Sequence, residues 1–274
     1  MEDSPCILIE FDNISQSISD QLAALLTECE FEGFEEEDGI LKAYVRKENY
    51  DRRAVEDIAG KLKLAFSVNE IRGNNWNQAW EESFHPVIMG RDLAIRASFH
   101  SRVKSAQNEI IITPKMSFGT GHHATTYLML EQMIRTDLMG KRVLDFGTGT
   151  GILAILGEKL GAGEILAIEI DDLALENARE NIAINNCRKI LLQKSCSPES
   201  SGSFDIVLAN ITRNIILENL GLFSSMLRSG GSIMISGILA EDEEAILEKS
   251  EALRLATNFI AQRDNWLLMN LLRI

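Results

Sequence analysis

Gly147, Gly149 and Gly151 stand at alternate positions in the run from Asp145 to Gly151, and a turn without side-chain bulk lets a ligand approach the main chain closely. Val143 and Leu144 before it read as the end of a buried parallel strand, and Ile152 to Leu160 after it as a helix. The start of that helix has N–H groups without intrahelical partners, available to an acceptor. Strand, glycine turn and helix together make a cofactor cradle, and such cradles take either dinucleotides or S-adenosylmethionine. Asp145 helps to separate the two. A carboxylate at the turn repels an anionic pyrophosphate but attracts a sulfonium and an ammonium. The spacing points the same way, because the third glycine of the dinucleotide fingerprint would fall at position 152, which is Ile152. A glycine turn that is structural and binds nothing is the plain alternative.

One βα unit further on, a short apolar run ends at Glu169, 22 residues after Gly147. A carboxylate at the tip of that strand suits two ribose hydroxyls, which both cofactors carry. Glu169, Asp171 and Asp172 could instead cap the next helix, a role that fits the two aspartates better. That helix shows Ala174, Ala178 and Ile182 at intervals of four, so this stripe is expected to face the sheet while Glu176, Arg179 and Glu180 stay in water.

These positions need a scaffold, and the pattern supplies one. Residues 140–240 alternate strand and helix as a doubly wound parallel α/β sheet does. Phe204 to Ala209 and Ser232 to Ser236 read as buried strands, and Ala256 to Gln262 with Trp266 to Ile274 as a terminal pair joined by a tight turn. The expectation is one antiparallel member at the sheet edge. Before the glycine turn, Leu93–Arg96 and Glu109–Thr113 read as short strands closed by Pro114. The first segment reads βαββαβ: strands at 6–11, 31–37, 40–45 and 65–71, helices at 14–29 and 52–64, with a hairpin at Asp38-Gly39. That order is the split-βαβ, ferredoxin-like pattern. Gly73 to Asn75 marks a boundary, and Trp76 to Phe84 reads as a short linker helix with Trp76 and Trp80 on one face. The expected domains are therefore 1–72, a linker over 73–86, and 87–274.

The chain has 274 residues, 45 % of them hydrophobic, and can bury a substantial core. Its formal net charge is −14. Residues 1–72 hold 17 acids against 8 bases, leaving 24 against 19 in the rest. A direct nucleic-acid partner would want the opposite sign, whereas an acidic module suits a basic protein partner, unless the charge serves solubility alone. No run reaches membrane-spanning length, the start lacks the features of a signal peptide, and Cys6, Cys29, Cys187 and Cys196 show no C-x-x-C spacing. A cytoplasmic address with no membrane partner and no metal is expected. His122 and His123 are adjacent, which rules out a helical i, i+4 metal pair; they read as exposed loop imidazoles, with contact to a cofactor or substrate as the alternative.

Four segments occur here in one order: Pro114 to Thr126 with its F-G-T-G-H-H-x-T-T run, Asp145 to Gly151, Ala167 to Asp171, and Leu208 to Ile211. Together they resemble the PrmA family of bacterial methyltransferases acting on ribosomal large-subunit protein eleven. The resemblance spans the whole chain, including Trp76, Trp80 and Phe84 to Val87. It implies a ferredoxin-like substrate-recognition domain, a linker and a class I, Rossmann-like methyltransferase domain using S-adenosylmethionine. It implies cofactor contacts at Thr126, Gly147, Glu169 and Asn210, beside Asp145, Gly149 and Gly151 from the turn itself. Asn210, at the carboxyl end of a strand, is also the expected catalytic residue, its amide oxygen accepting from a substrate amine; a helix-capping Asn is the alternative. The chain departs from the family in having Glu169 where Asp is usual. After Asn210 come Ile211, Thr212 and Arg213, without the Pro-Pro-aromatic clamp of many amino-methyltransferases, so a tetrahedral amine such as a lysine or an α-amino group fits best. A basic ribosomal protein as substrate, with another protein or a small amine as the alternative, and a monomer complete the expectation.

Overall fold

The computed structural model describes residues 6–12, 14, 16–27, 29–31, 33–37, 39–71, 84–114, 119–198 and 202–274, in two compact units, Met1–His85 and Pro86–Ile274. The expected helix around Trp76 and Trp80 lies outside the described residues, as does Asp38 of the expected hairpin turn.

In the first unit, alternating apolar residues bury Ile7, Ile9 and Phe11 on one face of strand β1 (Cys6–Phe11). Helices α1 (Gln16–Thr27) and α2 (Arg52–Leu62) contribute Leu22, Leu26, Val55 and Ile58 to the same core. The Asp51 side chain accepts from Arg53 N–H at the start of α2, and Lys63 ends it in a left-handed conformation. With β2 (Gly33–Glu37), β3 (Ile40–Arg46) and β4 (Phe66–Ile71), the sheet order is β2-β3-β1-β4, antiparallel at every pairing. This is the ferredoxin-like arrangement that the order of elements predicts.

The second unit begins with a three-stranded sheet, β5 (Val87–Met89), β6 (Leu93–Arg96) and β7 (Asn108–Ile111), in that order. Seven strands follow: β8 (Arg142–Phe146), β9 (Glu164–Glu169), β10 (Ile190–Lys194), β11 (Phe204–Asn210), β12 (Leu227–Leu239), β13 (Leu255–Arg263) and β14 (Trp266–Arg273). They form one sheet in the order β10-β9-β8-β11-β12-β14-β13, parallel from β10 to β12. The helices are α3 (Ala124–Ile134), α4 (Ile152–Lys159), α5 (Asp172–Ile184), α6 (Arg213–Met226) and α7 (Glu243–Ala252). Two cores flank the sheet, one holding Leu130, Met133, Ile155 and Ile165, the other Ile216, Leu220, Phe223 and Ile235. The expected α/β class holds, with one correction. The antiparallel strand β14 is not at the edge but lies between β12 and β13. Its residues 267–271 are buried, whereas β13 is largely open to solvent, so the apolar strand goes inside and the polar one takes the rim.

Helix α5 carries an unexpected polar row. Asn177 and Asn181 are fully buried, and with Asn185 they lie at intervals of four on one helix face. Asn185 Oδ1 accepts from Ile111 N–H while its Nδ2 donates to Ile111 O. Asn181 Oδ1 accepts from Thr113 N–H, and Asn177 Nδ2 donates to Thr113 O. Asn181 Nδ2 also donates to Thr150 O in the glycine turn, and Thr150 Oγ1 donates to Gly119 O. One helix therefore fixes both β7 with its extension and the turn after β8.

Candidate active site

The carboxyl ends of β8, β9 and β11 open on a cavity of about 580 Å³, within the range of small-molecule sites. One wall is the glycine turn. Gly147, Gly149 and Gly151 all have positive φ, at 72°, 55° and 82°, a region open to glycine at little cost. A Cβ on Gly147 would lie 2.6 Å from Ile211 Cγ2. The turn is also braced from behind. Gly147 and Thr148 N–H both donate to Ile168 O, and Gly149 N–H donates to Glu169 Oε2 at 3.0 Å.

Two carboxylates, both expected among the cofactor contacts, separate here. Asp145 is wholly buried and is not among the residues lining the cavity. Its Oδ2 accepts from Thr148 Oγ1 and from Ala154 N–H in the first turn of α4. Burial, partly opposed by these two hydrogen bonds, raises its carboxyl to about 6. The helix start that the sequence offers to an anion is thus answered from inside, and an anionic pyrophosphate finds its seat partly occupied by a carboxylate. Gly151 also stays behind the lining, serving as the N-cap of α4 in its left-handed conformation. Glu169 does line the cavity. Its Oε1 accepts from Ile170 and Asp171 N–H and its Oε2 from Gly149 N–H, which leaves about one of the four lone-pair sites of a carboxylate for a hydroxyl. Capping of α5 falls to Asp171, which accepts from Ala174 N–H, while Asp172 pairs with Lys194.

The facing wall is made of side chains from three distant segments, the start of α3, the end of β11 and the start of β14. Asn210 ends β11 and lines the cavity. Its Nδ2 donates to Thr126 Oγ1 at 3.2 Å, and its Oδ1 is buried with no hydrogen-bond partner among the described residues. It does not cap α6, whose N-cap is Thr212. Thr126 is buried in the first turn of α3. His123, expected as an exposed loop imidazole, is instead half-buried on the cavity wall. It caps α3 by accepting from Thr125 N–H at Nδ1 and meets Trp266 edge to face, with ring centroids 4.9 Å apart. Burial holds its imidazole below the usual range. Trp266 opens β14 and lines the cavity too. His122 stays exposed, with its Nδ1 beside Thr120 Oγ1.

His123, Trp266, Cys196 and Gly237, none of them among the expected site residues, all stand on the cavity wall. Gly237 had a signal, an isolated glycine within a strand pattern. A Cβ there would meet Ile211 O at 2.2 Å, so Gly147 and Gly237 together make room for Ile211. Among the described residues, no group of three or more His, Cys, Asp or Glu could hold a metal, and no helix is long and apolar enough to cross a membrane.

A family model described as ribosomal protein L11 methyltransferase (PrmA) matches residues 1–273. The chain belongs to that family. A ribosomal protein L11 methyltransferase of Porphyromonas gingivalis is 38 % identical over 255 residues, covering 90 % of this chain and 88 % of that protein. One from Phocaeicola vulgatus is 34 % identical over 260 residues, covering 92 % of each. The crystal structure of a ribosomal protein L11 methylase from Lactobacillus delbrueckii subsp. bulgaricus superposes with a TM-score of 0.65 at 31 % identity, covering 69 % of this chain and 99 % of that one. Family membership fits a site whose two walls differ in chemistry, one of main chain and glycine and the other of polar and aromatic side chains.

Proposed function

We infer that the protein is a methyltransferase that moves methyl groups from S-adenosylmethionine to amines of ribosomal protein L11, on lysine side chains, the N-terminal amine or both. The observation that carries this reading is the continuity of one cavity from the glycine turn and Glu169 to Asn210, whose buried oxygen has no partner among the described residues. An orphaned buried acceptor costs about 1–3 kcal/mol, and an amine N–H from a substrate would satisfy it.

The residues present suit this cofactor. The turn has no side chain to obstruct an adenosyl group, Glu169 retains acceptor capacity for a ribose hydroxyl, and the first-turn N–H groups of α3 at Thr126 suit a methionine carboxylate. The Asp145 carboxylate behind the turn favours positive charge in front of it. When bound, S-adenosylmethionine supplies an activated methyl on sulfur and a neutral thioether leaving group.

The chain's own part is to bind and orient the amine. A lysine amine, with an ordinary pKa of about 10.4, must reach the site neutral, and apolar walls at Phe146, Ile211, Ile215 and Trp266 disfavour its charged form. Asn210 Oδ1 accepts one N–H and so directs the nitrogen lone pair. Proximity and alignment then do most of the work. The acidic residues 1–72 supply long-range attraction for a basic substrate protein.

The test is methyl transfer from labelled S-adenosylmethionine to purified unmethylated large-subunit proteins, read by intact mass. Stepwise single-methyl gains on L11 support the reading. Gains on another protein or on a small amine, with none on L11, would move the substrate while leaving the chemistry in place.

A further inference from the structure

Thr126 and Asn210 are 84 residues apart in the chain, yet their side chains meet at 3.2 Å. Thr126 has no solvent exposure, and a buried hydroxyl in a folded protein keeps a partner. An asparagine amide has two ends of nearly equal shape and opposite hydrogen-bonding character. Rotated by half a turn, Asn210 would offer N–H donors where a neutral amine needs an acceptor. Pairing of β11 with β8 and β12 holds the strand in place but does not choose the end of the amide; the side-chain partner of Asn210 is Thr126 Oγ1.

We propose that Thr126 is a positioning residue for Asn210, its hydroxyl oxygen taking the Nδ2–H and thereby presenting Oδ1 to the incoming amine. The hydroxyl oxygen is then engaged by Asn210, and the contact of Thr126 with the cofactor runs through its main-chain N–H in the first turn of α3. This inference rests on the reading of Asn210 as the amine's partner. It divides the residue in a way that measurement can separate: loss of the hydroxyl alone acts on turnover and spares cofactor affinity.

The experiment compares full-length wild type, Thr126→Val, Thr126→Ser, Asn210→Ala and the double variant N210A/T126V. Methyl transfer to L11 is measured at saturating cofactor, with S-adenosylmethionine affinity by calorimetry and folding by thermal unfolding. Asn210→Ala lowers kcat about 100-fold. Thr126→Val lowers kcat about 10- to 30-fold while the cofactor Kd stays within about threefold. Thr126→Ser, which keeps the hydroxyl, returns kcat to within about threefold of wild type. In the Asn210→Ala background, Thr126→Val has no further effect, because the group it positions is gone. Thr126→Ala serves as a second hydroxyl deletion should the valine variant not fold.

A Thr126→Val effect of the same size with or without Asn210 would overturn the proposal. So would a raised cofactor Kd with kcat intact at saturation, which would return the hydroxyl to the cofactor. If Asn210→Ala itself leaves kcat unchanged, the reading of Asn210 fails and takes the proposal with it. Loss on Asn210→Ala without loss on Thr126→Val removes the positioning role alone.

Discussion

The two walls of the cavity are built on opposite principles. The glycine turn from Gly147 to Gly151 is one continuous stretch, shaped by positive φ values and fastened by its main-chain N–H groups, which donate to Ile168 O and to the Glu169 carboxylate. The facing wall gathers His123, Thr126, Asn210 and Trp266 from segments well over a hundred residues apart at the extremes. A contiguous wall tolerates few side chains, because each added atom intrudes on the ligand or the backbone. A dispersed wall tolerates replacement of a residue structurally, yet each replacement changes the chemistry that the wall performs. Binding of a shared cofactor belongs with the first kind, and selection of the acceptor with the second.

The largest expected effect breaks the first wall. Gly147→Val places a branched side chain at φ 72° with its Cβ 2.6 Å from Ile211 Cγ2. Left-handed backbone alone costs a non-glycine residue about 1–2 kcal/mol, and the clash adds to it. Calorimetry should find S-adenosylmethionine affinity reduced at least about 100-fold. Adding Ile211→Ala relieves only the clash, so recovery should be partial; complete recovery would show that the turn's conformation matters less than its space.

A smaller effect should appear on the second wall. Trp266→Ala removes the ring against His123, and we expect the KM for L11 to rise about tenfold while cofactor Kd changes less than about twofold. Equal losses in both constants would erase the distinction between the walls.

Asp145 supplies a pH-dependent contrast behind the turn. Its carboxyl is raised from 3.8 to about 6, so the folded state holds the proton more tightly than the unfolded chain. Its contribution to stability is therefore full below about pH 4 and is lost as pH rises through about 6. Asp145→Asn, which cannot ionise, should gain on wild type by about 2–3 kcal/mol between pH 4 and 7 in urea unfolding. An unchanged difference across that range would place the carboxyl near its ordinary value. The smallest effect concerns Cys196, an exposed free thiol on the cavity lining. Its alkylation by iodoacetamide should slow about three- to tenfold with saturating S-adenosylmethionine and remain unaffected by L11 alone.

The contiguous wall was also the legible one. Strand, glycine turn and helix occupy adjacent residues, so their spacing showed in the chain, as did the carboxylate that ends β9. The alternation in β1 and the helical stripes likewise revealed the first unit's order of elements. What stayed hidden was whether a charge was already answered. Asp145 reads as an open carboxylate until Thr148 and the start of α4 are seen to take its Oδ2. His123 reads as a loop imidazole because Trp266, its neighbour in space, lies 143 positions away in the chain. The place of β14 is not legible in the chain, because two adjacent strand patterns indicate pairing but not which one faces the rest of the sheet.

The asparagine row of α5 has a consequence for association. Strand β7 is the outer member of its three-stranded sheet, and an open edge is a template on which another chain can add. Along Ile111 and Thr113 that template is already filled, because Asn177, Asn181 and Asn185 donate and accept where a neighbouring backbone would. The helix thus imitates a strand with side-chain amides. It denies this edge to intermolecular β-pairing, and Asn181→Leu would reopen one rung of it, trading a capped margin for one prone to self-association.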